Sequence, residues 1–298
     1  MPSESVFHRP AYAADMAQQL LEPTALQLQV RSGVFLSGIR RIGKTTFLRQ
    51  DLIPALESRG ALVVYVDLWA DRSKNPASLV HEAVKAVLTD MTSPGSRVLE
   101  RLKGLNLGAA GFSFGFQVDT VGKRGGATLA DVFTEVVDKT RTDMVLIVDE
   151  VQQALGTEDG NHLLFALKAA RDAVNTRPGT PGHLLFLGTG SHKSLVVDMA
   201  TRRTQPFAGA VSTGYEPLGA EFIDWKVEQL RQQDDATVID WAEVVRAVAL
   251  DLSPLIAGMI RDQLGSFEWA WWALTAVVVV MLLIVTRFNP RHYAQHIR

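Results

Sequence analysis

The segment Gly38-Ile39-Arg40-Arg41-Ile42-Gly43-Lys44-Thr45-Thr46 limits what this chain can fold into more than any other stretch. It fits the pattern G-x-x-x-x-G-K-[ST], and its flanks suit that pattern. The apolar run Val34-Phe35-Leu36-Ser37 precedes it and reads as a strand; Phe47, Leu48, Leu52 and Ile53 follow at helical spacing. The glycines let the backbone turn tightly, so that successive N–H groups along Gly38, Ile39, Arg40, Arg41, Ile42, Gly43 and Thr46 converge on phosphate oxygens. The helix N-terminus adds its positive dipole. In such a loop Lys44 would reach the β- and γ-phosphates, and Thr45 would place its hydroxyl on Mg2+. The expectation is a site for a nucleoside triphosphate, ATP with Mg2+.

About a hundred residues on, Met144-Val145-Leu146-Ile147-Val148 is a continuous apolar run ending in Asp149-Glu150. A buried parallel strand reads this way, and ligands of open α/β sheets sit at the carboxyl ends of such strands. Asp149 would hold the metal's water shell, and Glu150 would polarise a water that attacks the γ-phosphate. An adjacent Asp-Glu pair argues for hydrolysis by an activated water, with Glu150 and Lys44 in the catalytic set.

The rest of the composition excludes more than it selects. The 298 residues suggest one large domain or two small ones, and 47% are hydrophobic, enough for a sizeable core. No cysteine is present, so neither a disulfide framework nor a thiolate metal site is available. With 30 basic and 32 acidic residues the net charge is −2, which gives no global reason to expect nucleic acid as a partner. Met1-Pro2-Ser3-Glu4-Ser5 lacks the charged and apolar regions of a secretion signal, so an ATP-consuming domain here is expected in the cytoplasm.

Further strands are expected at 61–67, 143–149 and 183–188, with a weaker one at 210–215, and helices lie between them. This alternation implies an α/β fold: a mostly parallel P-loop NTPase sheet covered by helices on both faces. Phe112-Ser113-Phe114-Gly115-Phe116-Gln117-Val118 alternates apolar and polar residues between glycine-rich stretches, the pattern of a half-exposed strand. It predicts a small hairpin insertion near residues 108–126, serving either as a partner or lid surface or as a plain edge strand.

Arg40-Arg41-Ile42-Gly43-Lys44-Thr45, the 146–150 strand and Leu187-Gly188-Thr189-Gly190-Ser191 resemble the AAA+-related bacterial and archaeal ATPases near the signal-transduction ATPases with numerous domains. Ser194-Leu195, Pro206-Phe207 and the opening Phe7-His8-Arg9-Pro10 also suit that group, and the resemblance covers residues 6–230. It implies that the acidic-pair strand and the Gly188 strand both lie beside the P-loop strand. It also implies that Thr189 or Ser191, Ser191 being preferred, senses the γ-phosphate. Many members of the group follow Pro-Phe with a Gly-Arg pair. This chain reads Pro206-Phe207-Ala208-Gly209-Ala210 and has only Arg202 and Arg203 nearby. A transition-state arginine is worth about 10³–10⁵ in rate where it operates. Slow hydrolysis, or a nucleotide-dependent switch or scaffold with little turnover, therefore stands beside the ATPase reading.

The expected organisation is an ATPase domain over 1–219 and a helical lid or partial C-terminal module over 220–265. A hydrophobic helix at 267–286 and a basic tail at 287–298 complete it. Residues 269–286 hold no charge, reach the ~18 apolar residues that can span a bilayer, and carry Trp269, Trp271 and Trp272 at one end. Either they cross the cytoplasmic membrane as a C-terminal anchor, or they pack into the C-terminal module. Arg287, Arg291 and Arg298 beyond them run against the positive-inside bias. A protein partner and oligomerisation both remain open.

Overall fold

The structure is a computed structural model that describes residues 6–93, 95–101, 112–123 and 125–233. Among these, the chain runs through α1 (Pro10–Leu21), β1 (Val34–Ser37), α2 (Lys44–Phe47), α3 (Ile53–Ser58), β2 (Leu62–Asp67), α4 (Pro76–Thr92) and α5 (Arg97–Arg101). It continues through α6 (Leu129–Thr140), β3 (Met144–Asp149), α7 (Glu158–Asn175), β4 (Leu184–Gly190), α8 (Lys193–Thr201), β5 (Val211–Gly214) and α9 (Ala220–Gln233). The five strands form one parallel sheet in the order β2-β3-β4-β1-β5.

This order corrects one expectation. β4, the strand of Gly188, does pair with β1, but β3, the strand of the acidic pair, does not; β4 lies between them. β4 can fill that central place because every one of its seven residues is buried, as a strand covered on both faces requires.

Alternation along the strands divides the core in two. Met144, Leu146 and Val148 join a cluster with Val80 and Val84 of α4, Phe133 and Val136 of α6, and Leu164 and Leu167 of α7. Val145 and Ile147 point the other way and are equally buried; α1 and α3 supply Ala13, Ala17, Leu20 and Leu56 outside that cluster. Local chemistry sets the helix starts. Asn75 caps α4 by accepting from the Ala77 N–H at 2.8 Å, with Pro76 in the first helical position. Thr128 and Asp131 form a reciprocal capping box on α6. Between α2 and α3, Leu48–Leu52 widens into a π-turn. Pro54 has no N–H for the Gln50 carbonyl, and its ring would clash with it, which accounts for the widening.

The segment of alternating phenylalanines is not a strand where it is described, over 112–123, while residues 108–111 and 124 of the expected hairpin lie outside the described residues. Val118–Thr120 is a 3-10 turn. Phe112 is buried, Phe114 and Phe116 pack partly buried beside the core, and the three rings follow one another at centroid distances of 5.3 and 5.2 Å. Backbone groups that a sheet partner would have satisfied turn to α6 instead: the Gly115 N–H donates to Glu135, and Lys139 donates to the Ser113 carbonyl. Rings on one side of an extended chain pack as well on helices as on a sheet, and here the helices take them.

The chain divides into two compact units. One comprises His8–Gly38 and Gly43–Glu216 and holds the whole sheet. The described residues of the other are 6–7, 39–42 and 217–233. Within it, Phe7 lies edge-on to Phe222 at 5.5 Å and 5.7 Å from Trp225, both on α9. No helix among the described residues is long and apolar enough to cross a membrane, and the segment 267–286 lies outside them.

Candidate functional site

The sheet places the polar groups before any contact is considered. β3 and β4 run in register with Val148 opposite Gly188, so Asp149 and Thr189 come next to each other at the strand ends. Asp67 of β2 stands opposite Asp149, and Tyr65 two residues earlier shares its face. β1 delivers Gly38, whose N–H donates to the Gly190 carbonyl at 3.0 Å. Beyond it the loop turns through positive φ at Arg41 (65°) and at Gly43 (81°). Gly43 is the residue before α2, so Lys44 and Thr45 open that helix. The left-handed turn at Gly43 is one that glycine adopts without steric cost.

Lys44 is 5% exposed, Asp149 fully buried and Glu150 9% exposed. The Lys44 ammonium donates to Asp149 Oδ1 at 2.9 Å and to Thr189 Oγ1 at 3.4 Å, and it stands 3.6 Å from Glu150 Oε1. Thr45 Oγ1 donates to Asp149 Oδ2 at 2.6 Å, and the Tyr65 hydroxyl reaches the same oxygen at 3.3 Å. Oδ1 also accepts from the Thr189 hydroxyl and from the Glu150 N–H, the latter at 3.0 Å. A buried charge needs this saturation, because removal from water is costly unless the ion is paired and hydrogen-bonded. Burial alone would raise the Asp149 carboxyl's pKa; Lys44 and the Thr189 and Thr45 hydroxyls overcome it and hold the group below its ordinary value.

Neighbouring groups shift the opposite way. Burial, then the Asp149 and Asp67 charges, pushes the Tyr65 phenol well above its ordinary value, so it remains a donor. Asp67 is raised by burial and by the charges of Asp149 and Glu150, against the Trp69 N–H that it accepts at 2.8 Å. Glu150 sits at φ 53°, unusual for a residue with a side chain. Its Oε2 accepts from Ser191 Oγ at 2.9 Å and from the Gln152 amide.

The fold thus gathers Lys44, Thr45, Asp149, Glu150 and Ser191, the residues singled out in the sequence, and adds Thr189, Tyr65, Asp67 and Gln152. Gly38 and Gly43 flank the loop, Ile42 is buried, and Arg40, Arg41 and Thr46 face solvent. Arg202 and Arg203 are exposed just past the end of α8. Thr189 was visible as an alternative to Ser191, whereas Tyr65 and Asp67 required the β2–β3 register. Gln152 carries no motif, and its spacing two residues after Glu150 was the only cue.

The residues fit a magnesium–nucleotide complex on their own chemistry. A buried ammonium held by two carboxylates is a cation that phosphate oxygens could take over from them. The Thr45 hydroxyl and the Asp149 carboxylate, 2.6 Å apart, are oxygen donors of the type Mg2+ prefers.

No known family profile matches the sequence, and no curated protein is recognisably similar to it. Among solved structures, the chain is similar to the Aeropyrum pernix ORC2 protein in its ADPNP–ADP complexes. The TM-score is 0.51 and the identity 16%, across 92% of this chain and 68% of that one. The ADP form of ORC2 follows at 0.49 and 13%, covering 91% and 71%. The Aeropyrum pernix ORC1 protein in complex with DNA gives 0.45 and 15%, covering 93% and 67%. At such identities a likeness speaks for architecture alone, and the first of the three carries it: the chain shares the overall fold of the Aeropyrum pernix ORC2 protein.

Proposed function

We propose that this chain binds ATP with Mg2+ at the Lys44–Asp149 cluster and hydrolyses it, with Glu150 as the base. One observation carries the reading. A P-loop lysine and threonine meet an Asp-Glu pair from a strand two places away in the sheet, in one hydrogen-bonded network whose lysine and carboxylates are buried. The similar ORC2 protein was solved in ADPNP–ADP complexes, which agrees with it. Bound Mg2+ would neutralise charge developing on the phosphates. Thr45 and Asp149 would hold that ion, and Lys44 would leave the carboxylates for the phosphates. Backbone N–H groups of Gly38, Ile39, Arg40, Arg41, Ile42, Gly43 and Thr46 would cradle them. Glu150 would orient a water and take its proton, while Thr189 and Ser191, lying against Asp149 and Glu150, would register the γ-phosphate.

Calorimetric titration with and without Mg2+ tests the metal assignment. Asp149→Asn should weaken MgATP binding more than metal-free ATP binding, and equal losses would reject it. A second reading, a nucleotide-dependent switch with little turnover, draws on the exposure of Arg202 and Arg203 at the end of α8. Binding without measurable phosphate release would select it. Anchoring of a cytoplasmic ATPase domain through residues 267–286 belongs to the same proposal, and resistance of the full chain to carbonate extraction from membranes is its test.

A further inference from the structure

We infer that Gln152 is a positioning residue for Glu150, and that it sits where it does because Gly190 has no side chain. The inference rests on the base role proposed above for Glu150.

Gln152 belongs to the 3-10 turn Val151–Gly156 that follows the acidic pair, and it is 5% exposed. Its amide nitrogen donates to Glu150 Oε2 and lies 3.3 Å from Ser191 Oγ, which itself donates to Oε2 at 2.9 Å. Both donors therefore converge on one carboxylate oxygen. The other, Oε1, is the one turned toward Lys44, 3.6 Å away. A carboxylate tied at Oε2 by two donors cannot rotate about its terminal bond without breaking both. Once Lys44 turns to a phosphate, Oε1 is left as the oxygen available to a water. A base must be held within hydrogen-bond reach of the proton it takes, and this clasp would hold it there.

Packing alone does not account for a glutamine here. Its other amide atom, Oε1, is buried with no hydrogen-bond partner among the described residues. A buried acceptor left empty carries a desolvation cost that a leucine or methionine of similar size would avoid. What the glutamine offers in return is its NH2 group on Glu150. Gly190, the last residue of β4, provides the space. A Cβ there would fall 2.2 Å from Gln152 Oε1 and 2.6 Å from Val196 Cγ2. Gly190 is not among the positive-φ glycines, so close approach, not backbone conformation, is what requires it.

The test uses the full chain with Gln152→Met, which keeps length and removes the donor, and Gly190→Ala, which displaces Gln152. Each should lower kcat about tenfold to a hundredfold while KM and the calorimetric Kd for MgATP stay within about twofold. The double variant should be no slower than Gly190→Ala alone, since both break one contact. A readout independent of turnover is the side-chain amide signal of Gln152 in 15N–1H spectra, assigned by its loss in Gln152→Met. It should lie away from the free-glutamine position and move back toward it in Glu150→Ala. Wild-type kcat in Gln152→Met, or an amide signal indifferent to Glu150→Ala, would overturn the inference. If Gly190→Ala does not fold, Gln152→Met and the amide signal decide alone. Failure of the base reading looks different: Glu150→Gln would then turn over ATP at the wild-type rate, whatever the amide signal shows.

Discussion

Two ion pairs in the larger unit have nearly the same length and different environments. Lys44 meets Asp149 at 2.9 Å with side chains 5% and 1% exposed; Lys139 meets Glu135 at 2.8 Å with side chains 38% and 25% exposed. The first closes a network of hydroxyls and a backbone N–H at the carboxyl end of the sheet. The second lies on α6, beside the segment of Phe112, Phe114 and Phe116, where one buried and two half-buried rings supply the attachment and the charges stay near water. Distance therefore says little about what a pair contributes. Breaking a buried pair strands a charge, whereas breaking an exposed one returns both partners to solvent.

The largest effect expected within this contrast is chemical. Glu150→Gln should keep ATP binding and lose turnover by about 10²–10⁴-fold, because the amide cannot accept the proton. Equal steady-state rates for the two proteins would remove Glu150 from that role. Lys44→Ala should follow, weakening MgATP binding about a hundredfold. It should also cost about 3 kcal/mol of folding stability, at the low end for a broken buried pair, because Thr45, Thr189 and Tyr65 still bond Asp149. Urea unfolding beside calorimetry would separate the two losses, and an unchanged unfolding midpoint would undo the contrast drawn above.

On the flank the ranking should reverse. Phe112→Ala should cost about 3 kcal/mol with ATP affinity unaffected, whereas Lys139→Ala should cost under about 1 kcal/mol. If Lys139→Ala proved the more damaging in urea, the ion pairs and not the rings would hold that segment.

The smallest effect concerns acid. The folded-state pKa of Asp149 lies below its unfolded value, so its contribution is fully present above about pH 4, the ordinary carboxylate value, and fades as pH falls through the folded one. Stability measured from pH 6 down to pH 3 should therefore decline less steeply in Asp149→Asn than in wild type. Parallel declines would mean that Asp149 is not held in the way its contacts imply.

Legibility in the sequence followed the range of the interactions. β1, β3 and β4 were readable as uninterrupted apolar runs, since a strand buried on both faces leaves little room for polar residues. Even the weak strand expected near 210–215 is present as Val211–Gly214. The alternation of Phe112–Val118 misled for a related reason. Period-two burial records that one side of an extended chain is covered, not what covers it, and α6 does so here without a sheet ladder.

Part of the acidic pair's surroundings was beyond the reach of the sequence. Placing Lys44, Thr45, Asp149 and Glu150 near one another needed only a loop motif and a strand end, each local in the chain. Thr189 against Asp149 follows from β4 standing between β1 and β3, and Tyr65 against Asp149 from the β2–β3 register. Gln152 against Glu150 follows from the space above Gly190. By itself the sequence determined the tight turn at Gly43 and the buried strands, because backbone sterics and apolar burial act over a few residues. Strand order, register and the partners of each buried charge were decided only by the tertiary structure, because they depend on packing between segments a hundred residues apart.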